Sequence, residues 1–87
     1  RKHAEAYEPE SGRVMEVWSD LPGVQLFTFN KPDDGLVGKD GKPMQPHTAL
    51  CLETQFFPDT PNHPEFPGGF TSPGEMYHYT TEYRFHL

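Results

Sequence analysis

Aromatic and polar positions alternate in the last part of the chain, Glu75–Leu87. One set of alternate positions is aromatic or aliphatic apart from a single threonine, and it consists of Tyr77, Tyr79, Thr81, Tyr83, Phe85 and Leu87. The residues between them are mostly polar. A period of two is typical of a β-strand that packs one face on a core and leaves the other in water. The pattern therefore predicts one long strand over Glu75–Leu87.

Further segments of the chain also have the composition of strands. They are rich in β-branched and aromatic residues and are bounded by Gly, Pro, Asn or Asp; they are Arg13–Ser19, Val24–Asn30 and Leu50–Phe57. Glu5–Tyr7 has the features of a strand end, because the turn-like sequence Glu8–Gly12 follows it. No segment shows the 3.6-residue period of a helix. We therefore predict an all-β chain, folded as an antiparallel β-sandwich.

Two long connections separate the predicted strands. Lys31–His47 contains turn signals at Asp34-Gly35 and Asp40-Gly41, and Pro58–Gly74 contains five prolines. Proline-rich segments of this kind do not continue a sheet, so we expect an irregular excursion after the strand at Leu50–Phe57.

Composition limits the class of protein. The 87 residues make at most one small domain, and the net charge of −6 opposes nucleic-acid binding, which needs a basic surface. The single cysteine excludes an intrachain disulfide, and no apolar run approaches the roughly 20 residues of a membrane span. Four or five strands with a long aromatic face would leave open edges. We therefore expect the chain to be the end of a larger β-sandwich, or to pair with another chain.

One charged residue interrupts the apolar strand at Leu50–Phe57. Alternation puts Leu50, Leu52, Thr54 and Phe56 on the core side and Glu53 on the other side, with Cys51 and Gln55. Burying a charged carboxylate is costly, so a Glu among apolar strand residues indicates either a partner or a chemical role. The chemical role that suits it is that of a general base. The alternative is a structural ion pair with Arg13 or Arg84, and the pattern favours neither.

Other candidate side chains have weaker support. Gln25 is expected on one face with Phe27 and Phe29, where an amide beside aromatic rings suits a sugar, although an edge-strand amide beside core phenylalanines is the simpler interpretation. His47 precedes Glu53 by six positions and suits a second acid or base, although a solvated turn residue is the simpler interpretation. The five histidines and Cys51 have no zinc-like spacing, so we predict no metal site.

Three segments together resemble the C-terminal end of the aldose 1-epimerases (galactose mutarotases). They are SGRVMEVWSDLPGVQLFTFN, GLVGKDGKPMQPHTALCLETQFFPDTPNHPEFP and SPGEMYHYTTEYRFHL, in the order that the family shows. The PGVQ, LETQ and PGE-x-Y motifs carry the match. The resemblance implies that residues 1–87 are the C-terminal part of a longer mutarotase-like supersandwich domain.

The resemblance also implies roles for two residues. Glu53 matches the general base that takes the proton from the C1 hydroxyl of the sugar, and Gln25 matches a position that contacts the sugar. The general acid of the family is a histidine in upstream sequence, and neither His47 nor His63 matches it. Phe29 departs from the family, where a small residue is common, and this affects the expected pocket next to Gln25.

The expected function follows from these matches. The complete enzyme would interconvert the α and β anomers of an aldohexose, galactose or glucose, without a cofactor or metal. Its partners would be the monosaccharide and the remainder of the epimerase domain or a second chain, with no nucleic acid and no membrane. The alternatives are a non-catalytic carbohydrate-binding β-sandwich and an inactive fragment. We expect a cytoplasmic location, with the periplasm as the alternative.

Overall fold

The chain folds into two small antiparallel sheets. A computed structural model describes residues 1–33 and 35–87. The five strands are β1 (Lys2–Glu8), β2 (Arg13–Ser19), β3 (Gly23–Phe27), β4 (Cys51–Gln55) and β5 (Thr81–His86), and a short 3-10 helix spans Thr60–Asn62. Sheet 1 has the order β1-β2-β5, and sheet 2 pairs β3 with β4. The prediction of an all-β, antiparallel fold is confirmed.

Strand β2 forms the centre of sheet 1 and contains its buried residues, Val17 and Ser19. Val17 is fully buried, and it lies between Ala4 of β1 and Tyr83 of β5 in the register of the sheet. Alternation puts Met15 and Ser19 on the same side as Val17, and Glu16 and Trp18 on the opposite, outer side. The sequence RVMEVWS thus specifies a strand with one apolar face, and its bounds agree with the prediction.

Side-chain hydrogen bonds join the two sheets. The Thr54 and Thr81 hydroxyl groups lie 2.6 Å apart, and the Tyr83 hydroxyl donates to the Leu52 carbonyl oxygen at 2.7 Å. The Thr81 hydroxyl also contacts Ser19 within sheet 1, where the Ser19 Oγ lies 3.1 Å from Thr81 Oγ1. The Leu52 and Thr54 side of β4 therefore faces sheet 1, as the alternation predicts.

The last strand is shorter than predicted. Strand β5 covers Thr81–His86, whereas the residues from Glu75 to Thr80 lie outside any strand. The reason is the length of its neighbour: Ser19 is the last residue of β2, and it pairs with Thr81. Beyond this point the Asp20 carboxylate accepts a hydrogen bond from the Thr80 amide, and the backbone keeps only a long bond of 3.4 Å from the Asp20 amide to the Thr80 carbonyl oxygen. Within β5, Thr81 and Tyr83 of the predicted inner set bond to sheet 2, whereas Phe85 is 74% exposed in this chain.

The ends of β3 and β4 also differ from the prediction. Strand β3 ends at Phe27, and Phe29 has a φ of 54°, in the left-handed region that breaks a strand. The prediction that Phe29 shares a strand face with Gln25 is therefore wrong. Leu50 precedes β4 and is 49% exposed, so it is not the core residue that alternation suggested.

The long connections are irregular, as predicted. Between β3 and β4 an antiparallel bridge joins Val37 to Pro43, and Gly41, at a φ of 77°, lies in the intervening turn. The other predicted turn, at Asp34-Gly35, includes Asp34, which lies outside the described residues. None of the helices described is long and apolar enough to cross a membrane.

Much apolar surface remains in contact with solvent. The accessible surface is 7044 Å², whereas a compact protein of 10.0 kDa exposes about 5,200 Å². The radius of gyration is 16.8 Å, against about 12 Å for a compact domain of this length. Among the exposed residues are Phe85 at 74% and Leu87 at 88%. Several apolar side chains are thus in position to pack against additional protein.

Candidate active site

Gln25 and Glu53 are brought side by side by the pairing of β3 with β4. Their α-carbons are direct partners in the antiparallel register, although they are separated by the whole loop from 28 to 50 in sequence. Residues directly opposite each other project from the same face of a sheet, with β-carbons about 4.5–5.5 Å apart. The two side chains that the sequence singled out therefore form one polar pair.

The polar pair lies on the open face of sheet 2. Thr54 bonds across to Thr81 of sheet 1, so its neighbour Glu53 projects in the opposite direction, away from sheet 1. Gln25 and Glu53 are both exposed, so the burial of Glu53 that its apolar neighbours suggested is not observed in this chain. The Gln25 amide donates to the Leu26 carbonyl oxygen at 3.2 Å. Both side chains can reach a ligand that approaches this face.

The ion-pair alternative for Glu53 is absent from the described residues. Arg84 is engaged elsewhere: its Nε lies 2.8 Å from Glu82, and its guanidinium group stacks over the Trp18 ring at 4.2 Å. These contacts lie on the outer face of sheet 1. Of the salt bridges that the described residues form, none includes Glu53. The carboxylate is therefore available for chemistry on the open face.

Aromatic residues bound the polar pair along the strands. Phe27 pairs with Cys51 on one side, and Gly23 pairs with Gln55 on the other. A β-carbon built on Gly23 would lie only 3.0 Å from the Phe57 ring, so this ring covers the sheet at the Gly23 position. The open face thus combines a carboxylate and an amide with apolar surface at both ends.

The histidines that the sequence left in doubt do not join this pair. The His47 imidazole lies 3.1 Å from the Thr28 carbonyl oxygen, in the loop beyond the sheet. His63 is held 3.1 Å from both Asp59 and Glu65 in the proline-rich excursion. Across residues 1–33 and 35–87 no group of three or more His, Cys, Asp or Glu residues is arranged to hold a metal ion.

A separate charged cluster lies on the outer face of sheet 1. Glu16 accepts from the Lys2 ammonium group at 3.2 Å and lies 2.9 Å from the His86 ring. The hydrogen bond from Lys2 is the main cause that lowers the pKa of Glu16 below its ordinary value. This cluster ties β1 and β5 to β2 and is remote from the polar pair.

Sequence reasoning missed the residues that fix β4 and bound the pair. Gly23 precedes the predicted strand Val24–Asn30, but it is the buried first residue of β3. A glycine next to a strand is a known signal for close approach of another group, and here that group is Phe57. The cross-sheet partners of Thr54 and Leu52 are distant in sequence, so no local pattern could reveal them.

Comparison with known proteins identifies the family. Residues 1–84 match the model of the aldose 1-epimerase family, and the chain belongs to this family. Similar proteins include the galactose mutarotase of Mus musculus, which is 48% identical over 75 residues, covering 86% of this chain and 22% of the relative. The galactose mutarotase of Homo sapiens is 45% identical over 82 residues, covering 94% of this chain and 24% of the relative.

A bacterial relative is similar to this chain at lower identity. The aldose 1-epimerase of Escherichia coli K12 is 33% identical over 84 residues, covering 94% of this chain and 24% of that protein. No solved structure gives a significant match. The chain thus spans about a quarter of the length of the relatives that it matches.

Proposed function

We propose that this chain supplies the general base and one sugar-binding residue of an aldose 1-epimerase, which interconverts the α and β anomers of galactose or glucose. The observation that carries the proposal is the register of sheet 2, in which Gln25 lies directly opposite Glu53. The membership of the aldose 1-epimerase family and the relatives named galactose mutarotase support it.

The polar pair suits the ring-opening step. Glu53 takes the proton of the C1 hydroxyl, the bond from C1 to the ring oxygen breaks, and an acid protonates that oxygen. The aldehyde rotates about the C1–C2 bond and recloses from the other face, and both protons return. Gln25 donates to or accepts from a sugar hydroxyl and holds C1 near the carboxylate.

The acid belongs to another part of the protein in this proposal. Neither His47 nor His63 lies with the polar pair, and the family resemblance implies an acid in upstream sequence. In this proposal the complete site is held by the full-length protein, meaning this chain together with the remainder of the epimerase domain. The exposed apolar surface of both sheets is where the additional protein would pack.

Polarimetry of the full-length protein tests this function. Freshly dissolved α-galactose should reach its anomeric equilibrium much faster with the protein than in buffer alone. Sugar binding without acceleration would instead support the non-catalytic carbohydrate-binding alternative. Neither binding nor acceleration would support the alternative of an inactive protein.

A further inference from the structure

We propose that Phe57 forms an apolar wall of the sugar site and contacts the C–H face of the bound hexose, beside the polar pair. The inference rests on the proposed function, because it assigns a third contact to the same site. Neither the composition of the Leu50–Phe57 segment nor the LETQ motif assigns this role.

The position of the ring is fixed by its contact with Gly23. A β-carbon on Gly23 would point to the same face as Gln25, two residues further along β3, and it would meet two Phe57 ring atoms at 3.0 Å. The ring therefore lies on the open face of sheet 2. Two strand residues span about 7 Å, which one hexose can bridge.

The Phe57 ring is packed against a neighbouring ring and keeps an accessible surface in this chain. Phe66 packs edge-on against Phe57 with centroids 5.4 Å apart, and His63 stacks on Phe66 at 4.6 Å. The Thr60 amide and hydroxyl both donate to the Phe57 carbonyl oxygen and fix its backbone. Phe57 is nevertheless 38% exposed. A supported ring with an accessible surface is preorganised for stacking.

The chemistry of a hexose fits this arrangement. A pyranose presents hydroxyl groups around its edge and C–H bonds on its faces, and sites for such ligands combine apolar lining with a few placed polar groups. Gln25 and Glu53 supply the polar groups at C1, and Phe57 supplies the apolar surface. Contact of this kind is the same in the ground state and the transition state, so it should affect KM more than kcat.

The first test replaces the ring in the full-length protein. Phe57→Leu should raise KM for galactose at least about fivefold and change kcat by less than about twofold. The inhibition constant of 1-deoxygalactose, which cannot open its ring, should rise by the same factor. Phe57→Trp should retain near-normal values. Phe70→Leu is the matched control, because Phe70 is a phenylalanine of the same excursion with 83% exposure.

The second test moves the ring without removing it. Gly23 has an ordinary backbone conformation, so Gly23→Ala acts through its new β-carbon and should also raise both constants. In the Phe57→Leu background the same change should have little further effect, because the ring that it displaces is gone. This non-additivity ties the two positions to one contact. Thermal melting of each variant shows whether it remains folded.

The outcomes separate this inference from the proposed function. Unchanged KM and inhibition constants in folded Phe57→Leu, with normal catalysis, would refute the apolar wall and leave the polar pair intact. Equal losses for Phe57→Leu and Phe57→Trp would also refute it, since the aromatic surface would not be the determinant. A full-length protein that binds no galactose and catalyses no interconversion would refute the proposed function itself.

Discussion

The hydroxyl contact between Thr54 and Thr81 should contribute measurably to stability, because it is a principal link between the sheets. Thr81→Val keeps the side-chain shape and removes the hydroxyl. It breaks the contacts to Thr54 at 2.6 Å and to Ser19 at 3.1 Å. The Ser19 hydroxyl keeps its hydrogen bond to the Thr80 carbonyl oxygen, so the Thr54 hydroxyl is the group most affected by the loss of its partner. At about 1 kcal/mol for each net hydrogen bond, the expected cost is about 1–2 kcal/mol.

A double-mutant cycle measured by urea unfolding of the full-length protein checks this estimate. Thr54→Val alone should cost about 1 kcal/mol, because it removes one of the two contacts. The double variant should cost no more than Thr81→Val alone, since both partners are then apolar and neither is left unsatisfied. The coupling free energy should be about 1 kcal/mol. Costs that add to within about 0.3 kcal/mol would show that the two hydroxyls do not bond, and would refute the described junction between the sheets.

Three further predictions follow from other parts of the structure. The hydrogen bond from Lys2 lowers the pKa of Glu16, so ionised Glu16 stabilises the fold above its ordinary pKa of 4.5, and this stabilisation is lost as the pH falls through the pKa of the folded state. In urea unfolding at pH 6 and 3.5, Glu16→Gln should therefore lose less stability between the two pH values than the unsubstituted protein. Gln25→Ala should raise KM with a smaller change in kcat, and the reverse pattern in steady-state kinetics would show that Gln25 orients Glu53 instead. The isolated 87-residue chain should self-associate through its exposed apolar surface and lack mutarotation above buffer, and light scattering that shows a compact monomer would contradict this.

Local patterns were sufficient to predict the strands but not where they stop. The bounds of β2 agree with the sequence, because β-branched residues and flanking turns define it locally. The start of β5 depends on its partner strand. Pairing with β2 stops at Ser19, so the alternating residues before Thr81 have no partner residue in β2. The backbone of Phe29, at a φ of 54°, likewise overrides the alternation that placed it beside Gln25.

The candidate site was predictable in part. The sequence identified Glu53 by its apolar neighbours and Gln25 by the PGVQ motif, and the register of sheet 2 brings them together. The sequence could not place Phe57 over Gly23, because that contact depends on how the chain turns after β4. Long-range contacts of this kind have no periodic signal in the sequence.

The most direct test of the account is the anomer interconversion rate of Glu53→Gln in the full-length protein. The variant keeps the size and the hydrogen-bonding capacity of the side chain and removes its basicity. Loss of a general base typically costs 10²–10⁴ in rate, so polarimetry should show at least about a hundredfold decrease. The control is Glu82→Gln, an exposed carboxylate on β5 that pairs with Arg84 and should leave the rate unchanged. A near-normal rate for Glu53→Gln would contradict the assignment of the general base.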